Sequence, residues 1–116
     1  MIDLFRDGTR LCTAGVADTF FSRFRGLMLK PGLALDEGLL IEYSPHLGSK
    51  SVHGFFMRFP LDLVFIDSDK RVVEIALLRP WRIYNPRVDC RWVLELNAGF
   101  AERHGLKVGD VLSFSG

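Results

Sequence analysis

Between Leu61 and Asp67 the chain reads LDLVFID, and between Arg71 and Leu78 it reads RVVEIALL. Successive side chains of an extended strand point to opposite faces. A run that is apolar at odd and even positions therefore has two apolar faces, and water must be kept from both. FFM at 55–57 adds a third such run. Strands like these need a sheet covered twice, or a wall curled around its own core. A closed or half-closed barrel with a helix plugging one end meets the requirement.

The rest of the chain supplies the parts. IDLF and LCTAGVADT flank Asp7-Gly8, a hairpin signature. In DTFFSRFRGLMLKPG, Phe20, Phe21, Phe24, Leu27 and Met28 share one face of a helix over 19–28. Asp18 or Thr19 can cap its start, and Pro31-Gly32 ends it. GLLIEY (38–43), SVHGFFM (51–57), LDLVFID (61–67), RVVEIALL (71–78) and CRWVLEL (90–96) read as strands, with a bend at Phe59-Pro60 and a polar turn at DSDK. RPWRIYNPRVD (79–89) reads as a long loop. NAGFAERHG predicts a short helix over 97–104, with Asn97 as its cap and Gly105-Leu106 as a left-handed stop. A Gly109-Asp110 turn then leads into a last strand. The 116 residues, 48% apolar with ten phenylalanines, suffice for one core and one domain, 1–116. The expected fold is mainly β (α+β): a compact, mostly antiparallel, barrel-like domain with two short helices.

Composition narrows the function classes. A net charge of +1 and pI near 7.8 give no bulk attraction to nucleic acid or to a membrane surface, so nucleic acid is not the expected partner. No apolar stretch approaches the roughly 18 residues of a membrane span. Charges interrupt every apolar run near Met1, so no signal peptide is read and a cytoplasmic protein is expected; a chain trimmed of a leader reads the same. Cys12 and Cys90 are far apart and outside any CxxC frame, which suggests two small buried hydrophobes. No tight ligand cluster predicts a metal, and no motif predicts a cofactor.

Three segments in order, SRFRGLML, HGFFMRFPLDLVFID and WVLELNAGFAERHGLKVGDVL, resemble the domain-of-unknown-function family 192, small uncharacterised bacterial and archaeal proteins. The likeness covers about residues 10 to 115. It implies a compact β-rich fold and no activity, cofactor or catalytic residue. The string departs from the family in FFMRF, where relatives often carry Trp before the Met and Lys after it. Separately, GFAERHGLKVGDVLSFSG resembles the end of a PDZ domain, although a helix stop followed by a Gly-Asp turn is a generic sequence of events.

Candidate chemistry is sparse. Asp62 shares its strand face with Val64 and Ile66, so it points where apolar groups point and needs a partner. The structural reading is a carboxylate accepting turn N–H groups or pairing with Arg58 or Arg25; the catalytic reading is a general acid or base. Glu95 lies on the side of Val93 and is a similar case. The two would form an acid/base pair only if they met across one pocket. His53, Met57 and His46 hold soft and borderline ligands, but core filling explains Met57 more simply. The segment 79–92 interleaves Arg79, Arg82, Arg87 and Arg91 with Trp81, Tyr84 and Trp92, a mixture suited to an anion or a stacked ring. Arg25, His53, Arg58, Arg79, Arg82 and Trp81 are thus the candidate ligand-binding residues. The expected function is a non-enzymatic binding or accessory module, with a small anionic ligand or another protein as its partner. The rivals are a small hydrolase or isomerase using Asp62 or Glu95, a PDZ-like peptide binder, and an RNA binder using the 79–92 loop.

Overall fold

The computed structural model describes residues 1–17, 34–43, 50–54 and 57–115. The chain is mostly β and forms a curled half-barrel sheet. Nine strands are described: β1 (Ile2–Arg6), β2 (Thr9–Ala17), β3 (Glu37–Glu42), β4 (Val52–His53), β5 (Leu61–Ile66), β6 (Val72–Leu78), β7 (Ile83–Tyr84), β8 (Trp92–Asn97) and β9 (Ser113–Ser115). Seven of them form the main sheet in the order β6-β5-β8-β3-β2-β1-β9, and β4 pairs with β7 as a separate ribbon. All pairings are antiparallel except β2 with β3.

The expected hairpins form for the expected reasons. Asp7 (φ 53°) and Gly8 (φ 78°) both occupy the left-handed region that a tight β1–β2 turn requires. At the β5–β6 turn, Asp67 Oδ1 accepts the N–H groups of Asp69 and Arg71, each at 2.9 Å. The segment 109–112 then reaches the far edge of the sheet. Val72 N–H donates to Asp110 O and Leu112 N–H donates to Lys70 O, each at 2.8 Å, before β9 pairs with β1. One segment therefore ties the β6 side to the β1 side.

Period-two alternation divides β5 as its sequence demands. Val64 and Ile66 face an inner core with Leu4, Leu40, Leu94, Leu96, Phe100 and Leu112. Leu61, Leu63 and Phe65 face an outer core with Ile41, Met57, Val93 and Cys90. Both faces are covered, which explains why every residue of β5 is buried. Cys12 and Cys90 are free thiols, one in each core; burial pushes the Cys12 thiol up to about 11.

The helix over 19–28, with Arg25, lies outside the described residues, and two other expectations change. The second helix, α1, is a single turn, Phe100–Arg103, and the only helix among the described residues. Its start is not capped by Asn97, which is the last residue of β8 and donates through Nδ2 to Ala34 O. Gly99 occupies the cap position with φ 92° and brings no side chain, so the orphan N–H groups turn to Asp62 instead. The stop is as expected: Gly105 N–H donates to Glu102 O, Leu106 N–H donates to Ala101 O, and Leu106 is buried. Finally, 79–89 is not all loop, because β7 lies within it, and SVHGFFM contributes only the two residues of β4 to pairing among the described residues.

Candidate ligand-binding surface

Two distant stretches converge outside the main sheet. His53 pairs with Ile83 and Val52 with Tyr84. Just beyond, Gly54 N–H donates to Arg82 O at 2.8 Å, and Gly54 O accepts from Trp81 N–H at 2.7 Å and Met57 N–H at 3.1 Å. A Cβ on Gly54 would stand 2.7 Å from Arg79 O, so only glycine permits this approach. The contact holds the turn Arg79-Pro80-Trp81-Arg82, closed by Arg82 N–H to Arg79 O at 3.2 Å. Pro80 suits the second turn position. The third takes φ 66°, where glycine or asparagine is favoured, yet it carries Trp81. A left-handed backbone costs a bulky residue roughly 1–2 kcal/mol.

That conformation displays the indole, which is 59% exposed; Ile83 is also exposed, at 56%. Arg79, Arg82 and Arg87 are exposed, and none makes a side-chain hydrogen bond or ion pair among the described residues. The other charges of 79–92 are engaged. Arg91 binds Glu42 through Nε and Nη2 at 3.0 and 2.6 Å, and Asp89 accepts from Lys50 Nζ at 2.6 Å. Lys50 holds the Asp89 carboxyl below its ordinary range.

One carboxylate anchors this segment to the sheet. Glu74 of β6 accepts the Tyr84 hydroxyl, Arg87 N–H at 2.7 Å and Val88 N–H at 3.2 Å. The Tyr84 ring stacks on Phe65 with centroids 5.7 Å apart. Its bond to Glu74 raises the phenol above its ordinary value.

Of the candidate ligand-binding residues, the structure gathers His53, Arg79, Trp81 and Arg82 around the β4–β7 ribbon. Arg58 follows Met57, whose N–H bonds the same Gly54 carbonyl, and is exposed. Neither Gly54 nor Glu74 stood out in the sequence. The Gly54 signal was present, as an isolated glycine in an apolar run; Glu74 had no local signal at all.

The two candidate acids do not meet. Asp62 pairs in register with Leu96 and faces inward; Glu95 pairs with Leu63 and Leu39 and faces outward. Asp62 Oδ2 accepts Gly99 N–H at 3.1 Å and Ala101 N–H at 3.0 Å. Glu95 is 6% exposed and lies between two leucines, with no hydrogen bond or ion pair among the described residues. Loss of water pushes its carboxyl up to about 7. Among the described residues, no group of three or more His, Cys, Asp or Glu is placed to hold a metal ion, and no helix is long and apolar enough to cross a membrane.

The doubly covered half-barrel sheet defines a class of compact, mostly antiparallel β domains. The chain belongs to the domain-of-unknown-function family 192, described as "Uncharacterized ACR", whose model matches residues 3–114. A UPF0127 protein of Pyrococcus furiosus is 39% identical over 100 residues, 85% of this chain and 84% of that one. A UPF0127 protein of Thermococcus sibiricus is 35% identical over 99 residues; the match covers 85% of this chain but only 64% of that relative. Two solved structures share the fold, each with a TM-score of 0.84 and each covering 97% of this chain. One is a Novosphingobium aromaticivorans protein of unknown function, 27% identical, with 82% of its own chain covered. The other, named as a candidate transcription regulator of Sinorhizobium meliloti, is 28% identical, with 91% covered. The chain is thus a member of a family described as uncharacterised, and the PDZ, RNA-binding and hydrolase readings gain no better support.

Proposed function

We propose that this protein is a non-enzymatic binding module that engages an anionic partner through the β4–β7 ribbon and the Arg79–Arg82 turn. The observation that carries the reading is Trp81, exposed in a left-handed conformation between two arginines that make no ion pair among the described residues. Backbone strain persists where surrounding contacts over-determine it, and the Gly54 bonds do so here. Arginine forks suit planar or phosphate anions, and an exposed ring beside them adds contact area. An anionic partner also accommodates the role that the Sinorhizobium neighbour's name carries.

The test is binding of sodium polyphosphate by calorimetry at about 50 mM salt, repeated as salt rises. Saturable binding that weakens with salt and is lost in Arg79→Glu/Arg82→Glu is expected. No binding at low salt, or binding untouched by the charge reversals, overturns the reading.

A further inference from the structure

We infer that the free edge of β6 pairs with β6 of a second copy of this chain, antiparallel and two-fold about Ala76, to make a dimer. The main sheet ends at β6, which has β5 as its one strand neighbour among the described residues. Backbone groups of an antiparallel strand point alternately to either side. Asp67 N–H donates to Arg71 O at 3.0 Å, so Asp67 turns toward β6; Ile66 O accepts Arg91 N–H at 2.8 Å, so Ile66 turns toward β8. The alternation directs Leu63 and Leu61 to β6, where they bond Ala76 and Leu78. Ile75 and Leu77, opposite Val64 and Asp62, therefore present their N–H and C=O groups away from the sheet. Val72 points the same way, and its groups are taken by Asp110 O and Gly109 N–H, each at 2.8 Å. The groups of Ile75 and Leu77 have no such partner among the described residues. Leu77 is 47% exposed, which places this edge in solvent.

An open edge accepts another strand unless charge, proline or a covering segment guards it. The one charge of β6, Glu74, is held by Tyr84, Arg87 and Val88, and residues 75–78 are all apolar. The opening is short. The 109–110 segment closes it at Val72, and Pro80, which has no N–H, closes the other end. A second β6 carries the same opening between the same bounds. Centred on Ala76, it sets Ile75 of each copy opposite Leu77 of the other, so every open group on both chains gains a partner. The residues that meet at the axis are the two alanines, small enough for the close approach of a non-hydrogen-bonded pair. Charge agrees with this direction. Glu74 of each copy faces Leu78 of the other, followed by Arg79, which makes no ion pair among the described residues. A parallel copy in register would set Glu74 against Glu74. A contact of this length is smaller than the roughly 1,600 Å² of a standard stable interface, so the dimer is weak and depends on concentration.

The test combines sedimentation velocity with residue-resolved amide hydrogen exchange on the folded chain, from about 10 μM to about 1 mM, a range that brackets weak association. The dimer fraction should grow with concentration. The Ile75 and Leu77 amides should exchange at least about tenfold more slowly at the top of the range, while Ala76, already bonded to β5, changes little. Leu77→Lys puts a charge on the exposed edge side chain and should weaken dimerisation at least about tenfold. A thermal melt establishes that the variant is folded. A chain that stays monomeric throughout overturns the inference. So does a dimer that leaves the Ile75 and Leu77 amides unprotected, or one that Leu77→Lys does not weaken. Protection of both amides already present in the monomer also overturns it, because the edge would then be covered from within the chain.

Discussion

Asp62 and Ala101, 39 positions apart, are joined by a 3.0 Å hydrogen bond from the Ala101 amide to Asp62 Oδ2. The same oxygen accepts Gly99 N–H, so a β5 carboxylate replaces the cap that α1 lacks in its own sequence. Charge-assisted bonds of this kind contribute about 1.5–3 kcal/mol. Asp62→Asn weakens the acceptor, and the expected loss is at least about 1 kcal/mol, read as a lower urea midpoint. An unchanged midpoint would return Asp62 to the pool of functional acids.

Glu95 gives stability an unusual pH dependence. On its face, β3 presents Glu37, Leu39 and Ile41, and β5 presents Leu61, Leu63 and Phe65. Its carboxyl is raised from 4.5 to about 7, so the folded state binds the extra proton. The stabilising contribution is complete below about pH 4.5, falls as pH rises toward 7, and is gone above that. The linked change is about 3 kcal/mol. Subtracting Glu95→Gln from wild type cancels the other titrations, and the difference should slope downward between pH 5 and 7. A flat difference refutes this assignment.

Gly54→Ala places a methyl group against Arg79 O. Expected effects are a loss of roughly 1–3 kcal/mol and faster hydrogen exchange at the amides of Trp81 and Arg82, which bond Gly54 O and Arg79 O. Exchange unchanged at both amides would mean that the turn holds without the ribbon.

Glu74→Ala removes the acceptor shared by the Tyr84 hydroxyl and two loop amides. The Tyr84 phenol should ionise at lower pH than in wild type, seen by ultraviolet difference titration. The amides of Arg87 and Val88 should exchange faster. A phenol that titrates as before would contradict the anchoring role.

Trp81→Gly places at φ 66° the residue that this turn position favours. Relief of backbone strain should raise stability by up to about 1 kcal/mol, while the affinity of the surface drops. A comparable fall in stability would show that packing of the indole outweighs the strain.

The β framework was legible because its signals are local. Asp7-Gly8 marks a hairpin, the two-faced apolarity of LDLVFID demands double cover, and Gly105-Leu106 stops a helix. The role of Asp62 was narrowed but not solved: its strand face follows from period two, whereas its partners are set by a register with β8 that no local pattern encodes. Asn97 misled because its residue type suits a cap; the strand outcompeted the helix for it, and β8 runs through Asn97. The ribbon was invisible as a unit. His53 and Trp81 each stand out in the sequence, but two-residue strands leave no periodicity to read, and the joining of their segments depends on a glycine's backbone.

The tie made by residues 109–115 sets an order of events during synthesis. Until that segment leaves the ribosome, β1 lacks its β9 partner and Val72 at the start of β6 lacks its bonds with Gly109 and Asp110. A nascent chain ending short of it presents two unsatisfied strand edges to its neighbours. The interval before it emerges is therefore when chaperone binding or aggregation competes with folding, and this segment ends that exposure at both edges together.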